Sequence, residues 1–221
     1  MPTKQPTCSR SSRGSWEWTD DDGCRTDRGC TSGGVRAVGF EISADGVTQL
    51  SGIRVRLVGG DSGISEWMLA DAPDSTVLDI DGLRTSHGAP CDVVGSEHPN
   101  GVFGIDHVVV YTPDLQRTTD AIAAATDAPL KRIREVGSIR QGFHRLGELI
   151  VEVVTFPQVT VEHATFWGLA LNVRDLDAMF DRCGYGLMSP PKDAVQQGRR
   201  IASFRESAGL GVRVAVMSVR R

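Results

Sequence analysis

Two polar side chains stand inside runs that are mostly apolar. His107 sits in Ile105-Asp106-His107-Val108-Val109-Val110-Tyr111, and Glu152 in Leu149-Ile150-Val151-Glu152-Val153-Val154. Both runs are short and rich in β-branched residues, which marks them as strands. An imidazole and a carboxylate brought together could hold a divalent metal, exchange a proton with a bound molecule, or bond each other. Burying a lone carboxylate costs on the order of several kcal/mol. An inward Glu152 therefore requires His107, an arginine, a metal or a proton. The plainer alternatives are a core histidine satisfied by backbone and a glutamate on a wetted sheet face.

The segments around these runs read as two copies of one unit. After the first strand, Thr112-Pro113-Asp114 predicts a helix start, with the Thr112 hydroxyl as cap and proline at the first helical position. Leu115, Thr118, Ile122 and Ala125 follow at helical spacing, and Thr126-Asp127-Ala128-Pro129 ends the helix. Strands are expected near 130–135, 139–146 and 148–156. In the second unit, 166–173 is the apolar strand and Arg174-Asp175 opens the helix. Leu176, Met179, Phe180 and Cys183 recur along it, Gly184-Tyr185-Gly186 ends it, and strands are expected near 185–188, 200–206 and 211–219. Asp114-Leu115 and Asp175-Leu176 set the repeat at 61 residues. One such unit cannot bury its sheet face alone, so the repeat predicts two packed βαβββ modules.

Residues 106–115 and 169–176, carried by these modules, resemble the vicinal oxygen chelate superfamily, the glyoxalase, bleomycin-resistance and extradiol-dioxygenase group. Residues 191–196 and 198–202 resemble an uncharacterised glyoxalase-like subgroup within it. The resemblance implies an α+β fold in which the tandem modules form a cupped mixed sheet. It also implies a divalent metal held by the first and fourth strands of both modules, commonly by two His and two Glu. His107 and Glu152 fall at two of those positions. Gly168 matches His107 in the second module, and a residue near Val216 matches Glu152; neither can ligate. The expectation is one divalent ion on an incomplete site, or none.

Other residues with chemical potential lie on the same units. Arg199 and Arg200 are adjacent strand residues, so one at most faces a cavity, where it could take a carboxylate or phosphate. Trp167 and Phe166 straddle the second apolar strand, one toward the cavity and one toward the packing side. Gly168 leaves room for a substrate to approach the backbone. His144 is a substitute ligand or, by preference, a surface strand histidine. The candidate catalytic and metal residues are His107 and Glu152. The candidate substrate residues are Trp167, Gly168, Arg199, Arg200 and His144.

Upstream the chain changes character. Residues 1–34 are polar and lack apolar periodicity, which predicts a disordered tail with Trp16 and Trp18 as its docking candidates. Residues 35–103 are expected to form a β-rich segment and connecting loop. Strands are placed at 35–42 and 53–58, a turn at 59–63, and a hairpin partner at 64–70. Residues 79–85 lead into a long irregular stretch, so that 35–84 are read as the β-rich part and 85–103 as the connecting loop. Residues 97–101 are read as turn chemistry rather than as metal ligands. The glyoxalase-like domain spans 104–221, with modules at 104–157 and 164–219.

The bulk numbers exclude several classes. A net charge of −4 argues against nucleic acid and anionic membranes as partners. No apolar run is long enough to cross a bilayer, and no apolar signal core opens the chain. Five cysteines without a CxxC pair fit neither a zinc nor a disulfide framework and suit a cytoplasmic protein. The expected partner is a small molecule in the cup, with a homodimer or a cup complete within one chain as the alternatives. Ligand binding is preferred. A lyase or isomerase acting on a small carbonyl or oxyacid, by metal or by acid/base chemistry, is the alternative.

Overall fold

The computed structural model describes residues 15–19, 30–58, 63–70, 78–88 and 96–220. The first half of the chain gives β1 (Ser15–Thr19), α1 (Cys30–Ala37), β2 (Val47–Leu50), β3 (Ile53–Val58), β4 (Gly63–Ala70), β5 (Leu78–Ile80) and β6 (Leu83–Gly88). The next unit is β7 (Val102–Tyr111), α2 (Leu115–Thr126), β8 (Arg132–Val136), β9 (Ile139–Leu146) and β10 (Leu149–Thr155). The last is β11 (Thr165–Val173), α3 (Leu176–Leu187), β12 (Lys192–Asp193), β13 (Arg200–Ser203) and β14 (Arg213–Ser218). The fold is α+β, and its larger sheet contains the two βαβββ modules.

That sheet has the order β12-β13-β14-β11-β7-β10-β9-β8. The first strands of the modules, β7 and β11, pair antiparallel at its centre, and each is flanked by its own module's last strand running parallel. The central register obeys the sequence repeat. His107 faces Ala170 and Val109 faces Gly168; Ile105 faces Leu171 and Val110 faces Phe166. Each pair becomes the other when 61 is added to one number and subtracted from its partner. The ladder slips at Asp106, at Trp167 and, near its end, at Phe103; the first two are the same position in the repeat. A bulge turns two consecutive residues toward one side. Asp106 therefore joins His107, and Trp167 joins Gly168.

One face of the sheet is sealed. Val108, Val110, Val151, Leu169, Leu171 and Val216 are buried there in a single cluster with Leu115 and Ile122 of α2 and Leu176 and Met179 of α3. His107, Glu152 and Tyr111 project from the opposite face and keep partial exposure. Both helices start alike: the Asp114 carboxylate accepts from the Arg117 N–H, and that of Asp175 accepts from the Ala178 N–H. The cap of α2 is thus Asp114 and not Thr112, whose hydroxyl is buried against that of Thr118 at 2.6 Å. Residues 185–188 form no strand. Gly184, at φ 68° and ψ 177°, interrupts α3, the helical turn resumes to Leu187, and Met188 makes a single bridge to Phe204.

The smaller sheet corrects the upstream expectations. Its order is β2-β3-β1-β4-β6-β5. β1 lies inside the segment expected to be a disordered tail, yet it pairs parallel to β3 and antiparallel to β4. It therefore separates β3 from β4, which were expected to form a hairpin. Polar and aromatic residues alternate through Ser15-Trp16-Glu17-Trp18-Thr19, a strand pattern too short to register within a polar segment. Residues 1–14 and 20–29, the 59–62 turn, and the side chains of Trp16 and Trp18 lie outside the described residues. The expected strand at 35–42 is instead the end of α1, up to Ala37, followed by a turn and irregular backbone. Val35 and Val38 are buried at helical spacing, and Gly39 at φ 89° ends the turn.

The topology of this sheet repeats that of the larger one. The run β3-β1-β4-β6 matches β10-β7-β11-β14, with an antiparallel centre and parallel flanks. The segment is a contracted second pair of modules, the first keeping its helix as α1 and the second lacking one among the described residues.

The two sheets are locked at the β5–β6 hairpin, whose second strand continues to Gly88, into the segment expected to be a connecting loop from residue 85. Asp81 and Gly82 take φ 54° and 100°, the two left-handed residues of a tight hairpin turn. The Asp81 carboxylate accepts from Arg117 Nε at 2.7 Å and from the Thr118 hydroxyl, and its carbonyl accepts from Ala164 N–H at 2.8 Å. An added Cβ at Gly82 would lie 2.6 Å from that of His163. Asp81→Ala is therefore expected to lower unfolding free energy by about 1–3 kcal/mol, through loss of the carboxylate's bonds to Arg117 and to the buried Thr118 hydroxyl. Gly82→Ala should move the urea midpoint in the same direction, and an unchanged midpoint for Asp81→Ala would remove the hairpin from the docking contact.

Candidate functional site

The bulge and the strand register bring His107 and Glu152 together on the unsealed face. Ile150 pairs with His107, so Glu152 stands two residues further along β10 on the same side. Glu152 Oε2 is 3.3 Å from His107 Nε2, and the side chains are 14% and 16% exposed. On the other side of the ring, Asp106 Oδ2 is 2.8 Å from His107 Nδ1. The second oxygen of Glu152 accepts from the Gln141 amide on β9. Both ring nitrogens thus face carboxylate oxygens. A neutral imidazole has one N–H, so satisfying both contacts takes one further proton on the trio.

Arg199, just before β13, fixes the trio from the second module. Its Nη1 donates to Asp106 Oδ1 and Gln196 Oε1, each at 2.7 Å; Nε donates to the Ser218 carbonyl at 2.7 Å, and Nη2 to Asn172 Oδ1 at 2.5 Å. Burial alone would push the Asp106 carboxyl up. The His107 and Arg199 hydrogen bonds and the Arg199 charge outweigh it and hold Asp106 down at about 2. Arg200 points away and pairs with Asp177 of α3 at 2.7 Å. One of the two arginines faces inward, and its donors are already committed.

The second module brings no ligating atoms. Gly168 pairs with Arg213 as His107 pairs with Ile150, so the residue matching Glu152 is Ala215. Val216, the expected match, is buried on the helix side. Gly168 leaves no room for a substrate either: a Cβ there would lie 2.4 Å from the Arg213 carbonyl oxygen, so β14 fills the space. Among the described residues no three His, Cys, Asp or Glu side chains are grouped to hold a metal. Two donors, already bonded to protein partners, fall short of the three that catalytic zinc sites supply. The residues present do not fit the fourfold centre that the resemblance implies.

Trp167, turned inward by its bulge, stacks on Tyr111 with centroids 5.0 Å apart and planes 23° from parallel. Arg213 lies over the same indole, 5.5 Å from its centroid. Phe166 turns to the sealed side and meets Trp67 of the smaller sheet edge-on at 5.4 Å. Burial and the nearby Glu152 push the Tyr111 hydroxyl up, with Arg213 opposing.

His144 is not a surface histidine and does not reach the cup. It pairs with Val151 on the sealed side, is 1% exposed, and donates Nδ1–H to the Ala128 carbonyl at 2.8 Å. Its Nε2 has no protein partner. His98 is buried as well, accepting from Glu41 N–H and meeting the Gln49 carbonyl, each at 3.1 Å.

Sequence reasoning missed Asp106, Gln141, Tyr111, Asn172 and Arg213. Asp106 adjoins His107, but strand alternation puts neighbours on opposite faces, and the bulge that reverses this has no residue signature here. Arg213 carries a clear signal in retrospect. It opens β14 as the one charged residue between Leu210 and Met217, an apolar run comparable to those around His107 and Glu152.

No protein-family profile matches the sequence, and no curated protein matches it. Solved structures do. A variant of 4-hydroxymandelate synthase from Streptomyces coelicolor is 14% identical with a TM-score of 0.64, covering 95% of this chain and 93% of that one. Methylmalonyl-CoA epimerase from Mycobacterium tuberculosis is 17% identical with a TM-score of 0.47, over 57% of this chain and 93% of that one. A variant of the Streptomyces coelicolor epimerase, in complex with 2-nitronate-propionyl-CoA, is 15% identical with a TM-score of 0.44, over 53% and 94%. These enzymes belong to the vicinal oxygen chelate superfamily. At such identities the likeness is one of fold, and this chain has that superfamily's fold. The synthase match, covering 95% of this chain, extends over the smaller sheet too. No helix among the described residues is long and apolar enough to cross a membrane.

His98 and His144 give stability a pH dependence. Burial lowers both below the ordinary 6.5. The unfolded chain then takes up protons that the folded chain refuses, so stability is full above about 6.5 and falls as pH drops toward the folded values. Urea midpoints should fall between about pH 7.5 and 5.5, with a shallower slope in His144→Leu. An equal slope in that variant would take His144 out of the titration.

Proposed function

We propose that this chain binds a small molecule in the cup of its larger sheet, with His107 and Glu152 as the polar anchor and no metal required. The observation that carries the reading is the Asp106–His107–Glu152 trio on the unsealed face, held by Arg199 at one end and Gln141 at the other. Such a site is preorganised: its donors and acceptors are placed before a ligand arrives, which lowers the entropic cost of binding. Val109, Ile150, Val154 and Ala170 line the same face as His107 and give the ligand an apolar floor. Both modules lie in one chain, so the cup requires no second subunit.

The alternating carboxylate–imidazole–carboxylate arrangement favours one further reading, acid/base catalysis. Asp106 fixes the ring, His107 offers or removes a proton at Nε2, and Glu152 shares it. A carbonyl compound or oxyacid with an acidic C–H could exchange that proton in a lyase or isomerase reaction. When bound in relatives of this fold, a divalent ion would add Lewis-acid polarisation; the donor set here does not supply its site.

The test is a pair of measurements on protein purified without a metal-affinity tag. Metal content should be well below one equivalent, and Ni, Zn, Mn, Co and Fe should not raise the melting temperature. Small polar compounds that do raise it should lose that effect in His107→Ala and Glu152→Ala, with affinity reduced by about tenfold or more, as for a charge-assisted hydrogen bond. Near-stoichiometric metal that disappears in His107→Ala would replace this reading with a chelate mechanism. Turnover of a hit, abolished in both variants, would select catalysis over binding.

A further inference from the structure

Arg213 occupies a place in the cup that the proposed trio leaves unexplained. It projects from β14 on the unsealed face, beside Gly168, and is the counterpart of Ile150 in the first module. A Cβ added at Gly168 would lie 2.4 Å from the Arg213 carbonyl oxygen and 3.0 Å from its Cβ, so only glycine lets β14 bring the arginine this close. The half of the cup that lacks ligating atoms, at Gly168 and Ala215, therefore carries a fixed cation instead.

The two inward arginines differ in what they have left to give. Arg199 spends its guanidinium on Asp106, Asn172, Gln196 and the Ser218 carbonyl. Arg213 is exposed and has no carboxylate partner among the described residues; its side chain rests on Trp167. An indole beneath a guanidinium orients it and leaves the in-plane N–H donors free. Tyr111 stacks on the same indole, and the register sets Glu152, Val109, Gly168 and Arg213 in one row across four strands, with the arginine at the end away from the trio. The cup is thus polarised, with two carboxylates and a histidine on the first module and an open guanidinium on the second.

We propose that Arg213, seated on Trp167, is the anion subsite of the cup, and that the ligand is a small organic acid. Its carboxylate meets Arg213 as a fork, and its second polar group meets His107 and Glu152. A bidentate carboxylate matches the guanidinium geometry, whereas a neutral amide offers one acceptor and no charge. This inference rests on the reading of the cup as a small-molecule site.

The experiment compares acids with their primary amides, pyruvate with pyruvamide and benzoate with benzamide, on wild type, Arg213→Gln and Arg213→Lys. Affinity is read by titration calorimetry, and occupancy of the cup by the His107 ring resonances. The acids should bind at least about tenfold more tightly than the amides, and Arg213→Gln should erase that preference without weakening the amides. Arg213→Lys should restore part of it, because charge remains and the fork is lost. Acids that still shift His107 with equal affinity in wild type and Arg213→Gln would overturn the anion subsite and leave the cup reading standing. If no probe shifts His107 in wild type, the cup reading falls and the subsite with it.

Discussion

The antiparallel pairing of β7 with β11, interrupted by two matched bulges, is the constraint from which the rest follows. A bulge gives up regular ladder bonding and bends its strand, and in return it sets neighbouring side chains on one side. In β7 this places Asp106 beside His107, 2.8 Å apart. In β11 it brings Trp167 over Tyr111 and under Arg213. With regular alternation Asp106 would point into the sealed, apolar side, where a carboxylate has no water and no arginine. The same backbone device, repeated 61 residues later, thus builds an acidic half-site from one module and an aromatic, cationic one from the other.

Holding two carboxylates near one imidazole raises an electrostatic problem, and Arg199 answers it. Asp106 and Arg199 are each only 10% exposed, so their attraction is little screened. The guanidinium neutralises one negative charge and ties β7 to the edge formed by Asn172 and Ser218. Because the bond spans 93 residues, it forms only once both modules have folded together. Removing the arginine alone would strand Asp106 beside Glu152. The same buried pair therefore stabilises the module interface and sets the orientation of the His107 ring.

The modules were legible because their signals are local. Apolar runs, helical spacing and Asp caps all fall within a dozen residues, and the repeat multiplies each one. His107 and Glu152 stood out as polar residues in apolar strands, and the register brings them into contact. The upstream sheet was not legible, for two reasons. β1 is five residues long within polar sequence, and its partners come from β3 and β4 far along the chain. α1 carries two glycines, and the alternating apolar residues Val38, Phe40 and Ile42 just after it read as a strand. His144 was misplaced because a strand histidine has no sequence mark telling which face is sealed. Gly168 was misread because an absent side chain looks like space until the neighbouring strand is in view.

A repeat that loses ligands from one copy can keep a function only if something else meets the charge of the bound molecule. A divalent ion attracts oxygen from any direction its open positions allow and can polarise a carbonyl. A guanidinium keeps the positive charge at every physiological pH, prefers a carboxylate in its own plane, and contributes no Lewis acidity. On the proposed reading, a cation on β14 in place of one between the modules narrows the ligand from vicinal oxygens to a terminal acid group. On the same reading His107 and Glu152 coordinate nothing, and their facing ring nitrogen and carboxylate oxygen are left to each other and to the proposed ligand. The trio and Arg213 are then complementary halves of one polarised cup, and the loss of donors at Gly168 and Ala215 is the condition for the arginine to enter it.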